Sequence, residues 1–173
     1  MLRVYNVIQS QRFTLNDFMS APTSFSSFQW PARAEAVPGL GWAGVLPFAI
    51  FSVAAIAKVD LFGFDARALL VDYGAVILSF MGGVQWGLTM VRTEQSGIAG
   101  QGYAISVLPA LLGFAAAQFA PIIALPLLVL GFCGLLAFDL WTVRSGLAPG
   151  WYRSLRWQLT AAVVVCLMGA WVL

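Results

Sequence analysis

The sequence predicts an all-α, polytopic membrane protein, a bundle of five transmembrane helices. Three observations carry that prediction. Hydrophobic residues make up 61% of the chain and charged residues only 9%, against about 25% charged in ordinary soluble domains. The apolar residues gather into five runs, each near the ~20 residues that a helix rising ~1.5 Å per residue needs to cross ~30 Å of hydrocarbon. Between the runs lie short links rich in Gly, Ser, Pro and charge, the punctuation of turns. At 173 residues the chain has room for one such domain and a tail.

Residues 1–39 read as a flexible extramembrane N-terminal segment. The stretch APTSFSSFQWPARAEAVPG carries Pro22, Pro31 and Pro38 without a continuous apolar run, so no secretory signal is expected. Arg3 and Arg12 with few acids also fit a mitochondrial transit peptide, but the composition favours a tail. The transmembrane domain occupies 40–173, with spans at about 40–58, 69–91, 102–119, 121–141 and 155–173. On the first span, Trp42 and Lys58 sit where interfacial anchors belong. Asp60, Asp65 and Arg67 form the polar link to the second, and TEQSGIAGQG turns the chain into the third. Ala120 and Pro121 leave room only for a tight hairpin before the fourth span, with Pro121 suited to a first helical turn. The loop TVRSGLAPGWYRS precedes the fifth.

An odd number of spans places the termini on opposite sides, and Lys and Arg decide which. Arg3, Arg12, Arg33, Arg92, Arg144, Arg153 and Arg156 fall on the N-terminal side, against Lys58 and Arg67 on the other. The N-terminus is therefore expected in the cytoplasm or matrix and the C-terminus opposite.

The second span organises the rest. Ala75, Ser79, Gly83 and Gly87 recur at i to i+4, and Asp72, Gly82 and Trp86 fall beside that ridge. In lipid, close backbone approach across small residues is a main source of packing energy, and Gly83 to Gly87 is a GxxxG pair. Ala75, Ser79, Gly82, Gly83 and Gly87 are thus the expected helix-packing residues.

Polar groups inside spans are the candidates for function, because each is costly there. Asp72 lies near the outer end of the second span, as a partner for Lys58 or Arg67 or as an ion or proton site. Asp139 lies near the inner end of the fourth, with Arg92, Arg144, Arg153 and Arg156 on its side; Arg156 is the first choice of partner and Arg92 the second. Gln85 is deeper, and an amide at that depth bonds across to another helix or lines a pore. Histidine is absent, and Cys133 and Cys166 stand singly in apolar runs, so no metal site, redox pair or cofactor is expected. No nucleophile and base pair or phosphate loop can be assembled, which argues against an enzyme. No basic block suggests nucleic acid.

Four stretches carry a family resemblance: Val45-Leu46-Pro47-Phe48, YGAVILSFMGGVQWG from Tyr73, SVLPALLGF from Ser106 and WYRSLRWQLT from Trp151. With them the chain resembles the multispanning membrane proteins related to transmembrane protein 69, a domain of unknown function. The resemblance covers essentially all of 40–173. It implies a bacterial or mitochondrial inner-membrane protein, supports the span count and adds no catalytic residue. It also implies a histidine in many members where this chain has Gln85. The expected partners are the lipid bilayer and either another membrane protein or a second copy of the chain. The first expectation is an assembly or accessory component of a membrane complex; the rival is a small-solute or ion carrier.

Overall fold

The computed structural model describes residues 36–96, 99–144 and 150–173, with the side chains of 36–37 and 91–101 outside that description. Five helices follow one another: α1 Ala36–Ile56, α2 Ala66–Ser96, α3 Ala99–Ala116, α4 Pro121–Arg144 and α5 Gly150–Val172. Of the N-terminal segment, residues 1–35 lie outside the described residues. Residues 36–39 are already helical, which places the start of α1 ahead of Leu40. Pro38 is tolerated there because first-turn N–H groups have no helical acceptor.

Each connection has a local cause. At the end of α1, Lys58 adopts a left-handed φ of 56°. Its N–H reaches the Ala55 carbonyl at 3.2 Å and the Val59 N–H reaches Ala54 at 3.0 Å, the pattern of a Schellman stop. Leu61 and Phe64 then exchange both backbone hydrogen bonds around Phe62 and Gly63, both with positive φ, as a type I′ turn requires. Asp65 starts α2 by accepting the Arg67 N–H at 2.9 Å on Oδ1, an N-cap that satisfies one of the free donors. At the other hairpin, α3 closes through short bonds from Gln118 to Ala115 and Phe119 to Ala116, and Pro121 opens α4.

Four of the helices contain stretches long and apolar enough to cross a bilayer: Pro38–Ile56, Ala66–Met90, Pro121–Arg144 and Gly150–Val172. At 18 residues α3, Ala99–Ala116, is the shortest of the five, and the turn imposed before Pro121 stops it before 119. At ~1.5 Å per residue it spans roughly 27 Å, close to a ~30 Å hydrocarbon core.

The helices form a ring in chain order, closed by α5 against α1, with α2 and α4 also in contact across the middle. Phe48 of α1 fills the centre, edge-on to Tyr73 of α2 at 4.9 Å and Phe132 of α4 at 5.9 Å between ring centroids. Three hydrogen bonds from side chains to backbone carbonyls tie helix to helix among the described residues: Tyr73 Oη to Gly44, Ser52 Oγ to Cys166 and Trp171 Nε1 to Ile122. In hydrocarbon no water competes for such donors. Outside, large apolar side chains such as Val76, Phe80, Phe114, Leu130 and Val165 are exposed, a surface suited to lipid rather than water.

Candidate functional site

At the end of the bundle shared by the start of α5 and the later halves of α2 and α4, three polar side chains converge on one carboxylate. Asp139 of α4 is 1% exposed. Arg156 of α5, 6% exposed, donates from Nε to Asp139 Oδ2 at 2.5 Å. Gln85 of α2, 2% exposed, donates from Nε2 to Asp139 Oδ1. Tyr152, one turn before Arg156 on α5, directs its hydroxyl to the same Oδ1 at 3.5 Å, and its ring lies 6.0 Å from the guanidinium carbon. Arg156 Nη1 also points at the sulfur of Met81, one turn before Gln85 on α2. Two pairs at i, i+4, Met81 with Gln85 and Tyr152 with Arg156, therefore face Asp139 from two helices, because that spacing stacks side chains on one helical face.

The arrangement balances its charge. A buried carboxylate and guanidinium each carry a desolvation penalty of several kcal/mol, which their attraction repays only when the remaining lone pairs are also bonded. Asp139 meets that condition with Gln85 and Tyr152. Gln85 does not meet it fully: its Oε1 is the one wholly inaccessible side-chain nitrogen or oxygen among the described residues without a hydrogen-bond partner.

The other expected residues lie elsewhere. Asp72 is exposed, and Asp139 with Arg156 is the only ion pair among the described residues, so Asp72 has neither Lys58 nor Arg67 as a salt-bridge partner. The Arg92 side chain lies outside the described residues. Tyr152 and Met81 do not stand out in the sequence. Their signal is the i, i+4 spacing from Arg156 and Gln85, but nothing local says that α2 and α5 turn those faces to the same carboxylate.

The small-residue ridge divides in two. Ala75 and Ser79 meet α3, where a Cβ at Gly113 would lie 2.8 Å from the Ala75 carbonyl oxygen and 3.2 Å from Ser79 Oγ. Gly82 continues the seam, and a Cβ there would fall 2.7 Å from the Ser106 carbonyl oxygen and 3.3 Å from Pro109 Cβ. Gly83 and Gly87, by contrast, have nothing within 4 Å of an added Cβ among the described residues, so no described helix packs closely on them. The reason is geometric. Steps of four residues turn about 400° and drift about 40° per step, so a line through 75, 79, 83 and 87 winds off the face. The α3 contact instead alternates steps of four and three, through Ala75, Ser79, Gly82, Trp86 and Thr89. Trp86 meets Tyr103 at 4.8 Å between ring centroids, and Thr89 lies 2.7 Å from where a Cβ of Gly102 would be.

Residues 34–172 match the family described as "Protein of unknown function (DUF3429)". Transmembrane protein 69 of Xenopus tropicalis is 33% identical over 136 residues, covering 76% of this chain and 51% of that protein. The chain thus spans about half the length of this curated relative. No solved structure matches. Among the described residues no group of His, Cys, Asp and Glu is placed to hold a metal ion.

Proposed function

The chain belongs to the DUF3429 family of transmembrane protein 69-like membrane proteins, and we propose that it acts as a non-enzymatic assembly or accessory component of a larger membrane complex. The observation that carries this reading is the open position of Gly83 and Gly87 on the outward face of α2. Helices in lipid gain most from close backbone contact, and a glycine pair left facing outward offers that contact to a helix from elsewhere. Phe80 and Met90, exposed along the same line, bracket the gap. The occupant is a helix of another membrane protein or of a second copy. The charge balance within Asp139, Arg156, Gln85 and Tyr152 supports the same reading, because it ties three helices together. One observation favours a carrier instead: Gln85 Oε1 is an open acceptor beside a buried carboxylate.

The reading includes five crossings, with α3 packed between α2 and α4 as the shortest. The N-terminus lies on the cytoplasmic or matrix side of a bacterial or mitochondrial inner membrane, supported by seven basic residues on that side against two.

The test is the mass of the full chain in lipid discs. The expected result is an assembly larger than one chain, reduced to a single chain by Gly83→Leu with Gly87→Leu at unchanged melting temperature. An assembly that survives both changes contradicts the reading. Solute or ion flux in reconstituted vesicles that Gln85→Leu abolishes would replace it with the carrier.

A further inference from the structure

A cavity of ≈ 300 Å³ opens between α1, α2 and α5 beside the buried ion pair. That volume is at the small end of ligand pockets and holds on the order of ten heavy atoms at ~30 Å³ each. Its wall is apolar, with Gly44 leaving a flat stretch of α1 and with Phe48 and Phe80 among the side chains that line it. Three polar side chains interrupt that wall, all on α5, and one of them, Tyr152, already directs its hydroxyl to Asp139. Arg156 lines the cavity, and its donors are only partly used: Nε serves Asp139 and Nη1 faces Met81, while Nη2 has no hydrogen-bond partner among the described residues. Thr160, 4% exposed, also lines the cavity, and its hydroxyl has no partner among the described residues. Both of these groups belong to α5 and neither to the glycine face of α2, although Phe80 borders the cavity as well as that face.

The geometry points to a binding site for the ring of a membrane-soluble quinone. Arg156 is already neutralised by Asp139, so an anionic head group would meet the carboxylate's charge as well as the guanidinium's. A neutral acceptor meets no such conflict. Two donors without partners among the described residues, rooted four residues apart on α5, about 6 Å along the axis, suit a small molecule with carbonyl oxygens on opposite edges. A flat glycine wall beside Phe48, Phe80 and Tyr152 suits an aromatic or quinonoid ring better than a flexible acyl ester, since rings stack on or abut aromatic faces. The apolar rim leaves the tail in lipid.

The experiment uses the full chain in lipid discs with a benzoquinone bearing a decyl tail, read by quenching of tryptophan fluorescence. Wild type should show saturable quenching. Gly44→Leu places a side chain in the cavity at a position where an added Cβ meets nothing within 4 Å; it should keep its melting temperature and lose affinity at least ten-fold. Thr160→Val, nearly the same shape without the hydroxyl, should bind about five-fold more weakly, the loss of one hydrogen bond of ~1 kcal/mol. Dioctanoylglycerol should not displace the quinone. Linear quenching that is equal in wild type and Gly44→Leu overturns the proposal, as does wild-type affinity in Thr160→Val. Displacement by the diacylglycerol at equal concentration assigns the cavity to acyl chains and overturns the choice of a quinone.

Discussion

Gly82 turns into the seam between α2 and α3, where an added Cβ would lie 2.7 Å from the Ser106 carbonyl oxygen, whereas Gly83, rotated by about 100°, has nothing within 4 Å. The two are neighbours on one helix and meet opposite surroundings. At Gly82 the absent side chain lets backbone approach backbone. At Gly83 it leaves a hollow that no other described residue fills. The difference teaches that a small-residue pattern must be read in phase with the seven-residue repeat of a packed pair, because the i+4 line drifts out of any straight contact. It also separates two roles for α2: its inner faces hold the bundle, and its outer line is free to meet lipid or another helix.

The comparison can be broken most forcefully at the polar cluster on the inner side. Asp139→Ala should lower stability by about 3–5 kcal/mol, since it leaves the Arg156 guanidinium buried without its counter-charge. Adding Arg156→Met should recover much of that loss, as a double-variant cycle on thermal melting would show. Additive losses would mean that the ion pair is not the unit holding α4 to α5.

Gly82→Leu should come next, at about 1–3 kcal/mol, because overpacking there pushes against backbone and a proline ring that cannot move aside. Melting in the same detergent measures it. A smaller effect separates the cluster's members: Gln85→Leu should cost about 1 kcal/mol or less, since it removes a donor to Asp139 but also removes the unsatisfied Oε1. A loss as large as that of Asp139→Ala would assign Gln85 a charge-stabilising role equal to that of Arg156.

How much of this is legible in the sequence differs between the two sides of α2. Composition and run length are enough for a helical membrane bundle, and the tight Ala120–Pro121 hairpin and Asp139 with Arg156 follow from signals close in sequence. The pair is joined across one short connection, 17 residues apart. Gln85 meeting Asp139 is 54 residues away, and no local pattern says which face of α2 turns to α4. That Gly82, and not its neighbour Gly83, meets α3 has another cause: a one-residue difference of phase is invisible until the position of α3 is known. Five crossings are expected from five apolar runs, and α3 ends at Ala116 because the turn before Pro121 takes up residues 117–120.

The smallest effect is the most informative one. Gly83→Leu should change stability by less than about 0.5 kcal/mol, as an exposed substitution does, with any gain coming from the better helix propensity of leucine. The direct test is therefore to measure melting temperature and assembled mass in lipid discs for Gly82→Leu and Gly83→Leu side by side. Gly82→Leu should melt lower while keeping its assembled mass, and Gly83→Leu should melt as the parent does while its assembly shrinks. Equal melting losses at both positions, or an assembly that Gly83→Leu leaves at full mass, would contradict the division of α2 into an inner packing seam and an outer docking line.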